Sequence, residues 1–215
     1  MLKIAFDSRS PKTILCLGAH SDDIEIGCGG TILKILRDFK DTTVYWVVFS
    51  SGDLREKEAI QSANVFLKSS KKKVIQINKF RNAYFPYYGA EIKDYFEILK
   101  NKVSPDIIFT HYRNDLHQDH RLINELTWNT FRDHLILEYE IPKYDGDMGS
   151  PNFYVHLDEQ LCRTKIKTID KYFKSQQDKQ WFTEDTFSSI MRFRGVESNA
   201  PKKYAEGFYF RKIVF

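Results

Sequence analysis

The sequence predicts one α/β domain built on a doubly wound, mainly parallel sheet with helices on both faces. Three observations carry this expectation. Strand-like runs at Val44–Phe49, Val74–Ile77 and Ile107–Thr110 alternate with helix-like runs at Arg55–Phe66, Glu91–Lys100 and His117–His134, the order that parallel strands with helical crossovers require. The run Thr13–Gly18 is short and apolar through Ile14-Leu15-Cys16-Leu17, as a central strand covered on both faces must be. Histidines and aspartates collect just after two of the strands, where open α/β sheets bind their ligands. At 215 residues the chain can bury a sizeable core, so a single domain over 1–215 is expected.

Taken in order, Thr13–Gly18 runs directly into Ala19-His20-Ser21-Asp22-Asp23. Gly27-Cys28-Gly29-Gly30 then reads as a loop of close backbone approach, with a helix beginning at Thr31-Ile32-Leu33-Lys34-Ile35-Leu36. A phosphate cradle is the competing reading of that loop. Its spacing matches neither a dinucleotide fingerprint nor a Walker loop, since no Gly-Lys-Ser/Thr follows. The second strand leads through Ser50-Ser51-Gly52-Asp53 to Arg55, at the same rim. Pro105 stands just before a strand, where its missing N–H does least harm. After Ile107–Thr110 come His111 and then Asn114-Asp115-Leu116-His117-Gln118-Asp119-His120. A helix opening near Leu116 would set His117 and His120 on one face of its first turn. Asp115 would be its N-cap, with Gln118 completing a capping box. The turn-rich loop 142–152 reads either as a lid or as a plain surface loop.

The two motifs hold three of the six histidines and four aspartates. Imidazole and carboxylate gathered at strand ends suit a mixed nitrogen and oxygen metal site, zinc being the first guess. For one such motif a capping aspartate beside solvated histidines is the simpler reading. Two motifs after two strands favour a metal, with side chains left over for acid–base work.

The run Gly18-Ala19-His20-Ser21-Asp22-Asp23 through Gly27-Cys28-Gly29-Gly30-Thr31 resembles the first motif of the PIG-L/LmbE-type zinc de-N-acetylases, and Asp115-Leu116-His117-Gln118-Asp119-His120-Arg121 resembles their second. Gly52-Asp53 with Arg55, Glu58 and Ala63, Lys165–Tyr172 with Ser175-Gln176, and Tyr204-Ala205-Glu206-Gly207-Phe208 are similar to weaker family segments. The resemblance implies a Rossmann-like fold and a hydrolase that removes an N-acetyl group from an N-acetylated amino sugar or its glycoside. It implies His20, Asp23 and His120 as ligands of one Zn²⁺ per chain, with another divalent ion such as Fe²⁺ as the alternative. A water would complete the shell. Asp22 would be the general base that takes its proton. His117 would act as an imidazolium on the oxyanion or leaving amine, and Asp119 would orient His117. Amide hydrolysis needs a nucleophile, charge stabilisation on the carbonyl oxygen and a proton for the leaving amine, and these residues supply one group for each.

Two positions depart from the family pattern. Ser21 stands where Pro is usual, and Ile24 where Glu is frequent. Neither touches an expected ligand. Glu25 is open between supporting the metal shell and being an ordinary helix-entry carboxylate. Arg55 could grip a hydroxyl, phosphate or carboxylate of substrate, or pair with Glu56 or Glu58 on its own helix. Asn114 and Asp115 are the further candidates for sugar contacts. His111 reads as structural or pocket-lining; His134 and His156 lack ligand-like neighbours.

The net charge is only +4, and Lys71-Lys72-Lys73 is the one sharp basic run, so no nucleic-acid partner is expected. No run of about 18 apolar residues exists, and Met1–Asp7 is too soon charged for a signal peptide. Three cysteines without framework spacing fit a reducing compartment. The expectation is a cytoplasmic protein without a membrane span, acting on a small molecule. The segment Glu206–Phe215 is open between an edge strand for a homo-oligomer contact and closure of the chain's own sheet. Two other functions remain: an amidase for a different amide, such as a thioether conjugate, and a noncatalytic zinc- or sugar-binding protein. Asp22 discriminates, because a binding module has no need of a free carboxylate beside its ligands.

Overall fold

The computed structural model describes residues 11–214; the Met1–Asp7 segment and Phe215 lie outside the described residues. The strands β1 (Thr13–Gly18), β2 (Thr43–Val48), β3 (Lys72–Ile77), β4 (Ile107–His111) and β5 (Leu135–Tyr139) are parallel. β6 (Phe153–Leu157) and β7 (Tyr204–Tyr209) complete one seven-stranded sheet of order β3-β2-β1-β4-β5-β7-β6. β7 runs antiparallel to both its neighbours. The expected doubly wound α/β fold is what the chain forms.

Helices α1 (Asp23–Asp38), α2 (Asp53–Phe66), α3 (Gly89–Lys102), α4 (Gln118–Thr130), α5 (Glu159–Tyr172) and α6 (Glu184–Glu197) cover the sheet. β1 shows why its run is apolar throughout. Ile14 and Cys16 enter the core shared with α1, α2 and Trp46 of β2. Leu15 and Leu17 enter the opposite core with Phe96 of α3 and Ile123 of α4. The strand order reverses between β1 and β4, and the crevice beyond their carboxyl ends receives both motifs.

Two local expectations change, and one open choice is decided. The Gly27–Gly30 segment is not a loop: α1 already begins at Asp23, and the glycines sit inside it. A Cβ on Gly27 would fall 2.1 Å from the Tyr139 ring, and one on Gly29 2.6 Å from Phe66. The missing side chains let the helix lie against its neighbours, which outweighs the propensity cost of helical glycine. The second-motif helix, α4, opens at Gln118 and ends at Thr130 rather than spanning His117–His134; its N-cap is His117, not Asp115. Finally, β7 is not at an edge. It lies between β5 and β6, so the late segment closes the chain's own sheet, whose edges are β6 and β3.

Candidate metal centre

His20 leaves the end of β1 and Asp23 opens α1, so the two meet across one tight turn: the His20 backbone N–H donates to Asp23 Oδ2 at 2.6 Å. His120 lies in the first turn of α4, beyond β4. Three atoms converge. His20 Nδ1 is 3.2 Å from His120 Nε2 and 3.4 Å from Asp23 Oδ2, and Asp23 Oδ2 is 3.6 Å from His120 Nε2. Donors held about 2.0–2.1 Å from a tetrahedral ion stand about 3.3 Å apart, so this triangle has the right size.

The far side of each imidazole meets a carboxylate. His20 Nε2 faces Asp119 Oδ2 at 3.3 Å, and His120 Nδ1 faces Asp115 Oδ2 at 2.9 Å. These contacts fix the outward nitrogens as the protonated ones and turn lone pairs inward, as a carboxylate–histidine pair does behind a bound metal. Two overlapping sets of side chains have potential ligand atoms within 4.8 Å of one another: His20, His117 and His120, and Asp23, His111 and His120. Backbone hydrogen bonds narrow the choice. His111 Nε2 accepts the Ala19 N–H at 2.9 Å, and His117 Nδ1 accepts the Asp119 N–H at 3.2 Å. His20, Asp23 and His120 remain as the residues that could hold a divalent cation.

Burial alone would lower the His20 pKa, but Asp23 and then Asp119 outweigh it and bring it up to about 9. Burial and the neighbouring His111 bring His120 down to about 3 against Asp23 and Asp115. One extra proton thus stands where the donors converge. Burial would raise Asp23, yet the surrounding His120, His111 and His20 hold it well below the ordinary carboxylate range.

Asp22, the residue before Asp23, is buried, with Oδ1 accepting from Arg55 Nη2 at 2.6 Å. Arg55 pairs neither with Glu56 nor with Glu58. Glu56 meets Lys79, and Glu58 accepts from the N–H and hydroxyl of Ser175. His117 is half-buried, edge-on to His20 with ring centroids 4.9 Å apart and stacked on His120 at 4.6 Å. Burial, then His20, holds it below its ordinary value.

Asp119 departs from its expected orienting role. Its carboxylate points to His20 and accepts the Ala83 and Phe85 N–H groups at 2.7 and 3.1 Å; only its backbone N–H reaches His117. Asp115 likewise stands behind the site rather than facing a ligand. It is 2% exposed, its Oδ1 accepts the His117 N–H, and its Oδ2 meets His120 and Lys143. Asn114 is exposed at the rim and donates to the Tyr112 hydroxyl. Ser21, in place of the usual proline, donates to Ser51 across the crevice. Glu25 is fully buried; burial raises its pKa well above the ordinary value, with Ser62 opposing.

Some of the supporting groups carried no local signal. His111, wholly buried under His120 with ring centroids 3.9 Å apart, was noticeable only as a histidine at a strand end. Ala83 and Phe85 gave no sign of serving Asp119. Lys143 belongs to the 142–152 loop, which is tied down: Lys143 pairs with Asp115 and Asp147, Asp147 accepts the Leu116 N–H, and Gly149 C=O accepts from Arg194. Lys165 and Glu206 clamp α1 from below. Lys165 Nζ donates to Ile26 C=O at 2.6 Å and to Glu206 at 2.7 Å, while Glu206 accepts the Gly30 and Thr31 N–H groups. No helix among the described residues is long and apolar enough to cross a membrane.

A doubly wound sheet with a histidine–aspartate cluster at its switch point defines a class of α/β metal-site proteins. Within it, the PIG-L family (GlcNAc-PI de-N-acetylase) matches residues 15–131, which include both motifs, and the chain belongs to this family. The uncharacterised deacetylase YaiS of Escherichia coli K12 is 28% identical over 170 residues, covering 75% of this chain and 90% of that protein. Among solved structures, the N,N'-diacetylchitobiose deacetylase from Pyrococcus horikoshii superposes with a TM-score of 0.70 at 24% identity, covering 94% of this chain and 84% of that one. A 4-carboxy-2-hydroxymuconate hydratase, GalB from Pseudomonas putida KT2440, reaches 0.66 at 15% identity over 95% and 98% of the two chains. These likenesses establish the fold; one scaffold serves different reactions, so activity must be argued from the site.

Proposed function

We propose that this chain is a metal-dependent hydrolase that removes the acetyl group from an N-acetylated amino sugar or its glycoside. The observation that carries the reading is the convergence of three potential ligand atoms, His20 Nδ1, Asp23 Oδ2 and His120 Nε2, within 3.2–3.6 Å of one another. These residues hold the cation. When bound there, a divalent ion such as Zn²⁺ supplies Lewis acidity to the acetamide carbonyl and to water.

The remaining roles belong to the chain. Asp22, beside the donors, takes the proton of the attacking water through the oxygen that Arg55 does not hold. Arg55 positions Asp22 and closes that side of the crevice. His117 carries its proton on Nε2, because Nδ1 accepts from the Asp119 backbone. Its lowered pKa makes it a neutral donor at pH 7 rather than a standing imidazolium. It therefore hydrogen-bonds the oxygen that gains charge as the tetrahedral centre forms, while the proton that Asp22 took from water passes to the departing amine. Asp115 and Asp119 keep the two imidazoles turned inward.

The test is acetate release from a panel of N-acetylated sugars, with bound metal quantified and chelator added in parallel. Chelator-sensitive acetate from the wild type is expected. Asp22→Asn should keep its metal and lose about 10²–10⁴-fold in turnover. A fully active Asp22→Asn protein would remove Asp22 from the reaction, and one bound metal with no acetate from any sugar would favour a different amide.

A further inference from the structure

The two carboxylates behind the candidate centre are not held alike. Asp119 faces His20 and is otherwise gripped by neutral donors, the backbone N–H groups of Ala83 and Phe85. Asp115 faces His120 and is gripped by a cation. Its Oδ2 lies 2.9 Å from His120 Nδ1 and 3.0 Å from Lys143 Nζ, so imidazole and ammonium share one oxygen. Its Oδ1 accepts the His117 N–H at 2.8 Å.

The sheet delivers the lysine to this contact. His111 of β4 and Tyr139 of β5 are register partners, and Asp115 and Lys143 stand equally far beyond them. The Lys143 side chain is only 10% exposed, a depth that lysine reaches only when paired. Asp147 also pairs with its ammonium and accepts the Leu116 N–H at 2.7 Å. The Ile141 carbonyl accepts a longer bond from it at 3.5 Å. The ammonium is thus fixed against Asp115 by groups of its own loop.

A buried ion pair adds little stability, because desolvation offsets most of the attraction. A neutral donor would steady Asp115 as well, as backbone N–H groups steady Asp119. What the ammonium adds is charge. A carboxylate behind an imidazole makes it more basic and a stronger metal ligand, and a cation on the same oxygen takes part of that effect away. We propose that Lys143 is a positioning residue acting on the centre through Asp115. It weakens the donation from Asp115 to His120, so a divalent cation is held less tightly there and keeps more of its Lewis acidity. The proposal rests on the metal centre of the deacetylase reading above, and its test separates the two.

Lys143→Met keeps the aliphatic stem and removes the charge; Lys143→Arg keeps the charge. Zn²⁺ affinity is measured by competition with a chromophoric chelator. Acetate, a product of the proposed reaction, is then titrated into cobalt(II)-loaded protein and followed by visible absorption. The Met variant should bind Zn²⁺ about tenfold more tightly and acetate several-fold more weakly, the scale of one unit charge removed near a partly buried site. The Arg variant should restore both constants to those of the wild type. A purely structural lysine predicts the opposite for zinc, since a loosened Asp115 would support His120 less. Weaker or unchanged Zn²⁺ affinity in the Met variant, or undiminished acetate binding, therefore overturns the proposal and leaves the deacetylase reading intact. Should the Met variant fail to fold, Lys143→Gln, which offers Asp115 an uncharged donor, is judged by the same two constants. Wild-type protein that takes up no stoichiometric Zn²⁺ would fault the centre itself, and the proposal with it.

Discussion

Helix α1 meets a buried charged cluster at two points along its length. At its middle, Lys165 and Glu206 are 2% and 4% exposed, and each donor there finds an acceptor: Lys165 takes Ile26 C=O and Glu206, and Glu206 takes the Gly30 and Thr31 N–H groups. At its N-terminus, His20, Asp23 and His120 turn acceptors toward one another, because Asp119 and Asp115 occupy the outward nitrogens of both imidazoles. The first cluster is complete within the chain. The second has ligand atoms to spare for the cation proposed above, and without one the surrounding carboxylates favour a proton on His20. Both clusters are buried; what separates a clamp from a ligand site is whether donors and acceptors balance.

Breaking the balanced cluster should have the largest effect on the fold. Glu206→Gln leaves the Lys165 ammonium buried without its counter-charge and weakens the bonds to the Gly30 and Thr31 N–H groups. Removing one partner of a buried pair costs about 3–5 kcal/mol. Urea unfolding should show that loss equally with and without metal. A loss confined to the metal-loaded form would mean that the clamp belongs to the metal site.

The unbalanced cluster should respond in affinity. Asp115→Asn and Asp119→Asn each remove a charge behind one imidazole and should weaken metal binding about 10–100-fold. Their turnover at saturating metal should fall far less than in Asp22→Asn. Asp119→Asn should be the more damaging of the two if the Ala83 and Phe85 N–H groups depend on the charge for their hold. Competition with a chromophoric chelator measures both constants, and unaltered affinity in either variant would take that carboxylate out of the support.

A smaller effect, about tenfold per pH unit, follows from the proton on His20. Its folded pKa of about 9 lies above the ordinary 6.5, so in the metal-free protein its stabilisation is whole below pH 6.5. That stabilisation, about 3 kcal/mol at full strength for a buried group, is lost as pH rises to 9. A metal must displace this proton, so apparent affinity should climb with pH until about 9 and then level. Calorimetry at pH 7 in buffers of different ionisation enthalpy should report about one proton released per metal; none released would mean that His20 Nδ1 is not a ligand.

The contrast between the clusters also sets what the sequence could reveal. His20, Asp22 and Asp23 are consecutive or nearly so at the end of an apolar strand, and His117 and His120 share one helical turn, so short spacing sufficed to group them. The carboxylate behind each imidazole was a different matter. Asp119 is adjacent to His120 in sequence but serves His20, 99 residues away, and its own helix start places its carboxylate away from His117. The helical glycines misled for a related reason: whether Gly27 and Gly29 form a loop or a helix depends on Tyr139 and Phe66, which no local window contains. Lys165 and Glu206, 41 residues apart, meet only because β7 inserts between β5 and β6.

Ala83 offers the finest test, because it touches the unbalanced cluster through backbone alone. Its φ of 63° lies in the left-handed region, a strained choice for any residue with a Cβ. That turn aims the N–H groups of residues 83 and 85 at one carboxylate, Asp119, and lets Gln118 donate to the Ala83 carbonyl. Ala83→Gly removes the Cβ clash but adds chain entropy to the unfolded state, so stability should change by no more than about 1 kcal/mol, with metal affinity kept. Ala83→Val should behave differently. A β-branched side chain resists this conformation, so the loop should shift, Asp119 should lose one or both donors, and metal affinity should fall along with stability. If Val and Gly bind metal equally well, the strained turn is not what holds Asp119 behind His20, and the carboxylate is placed by α4 alone.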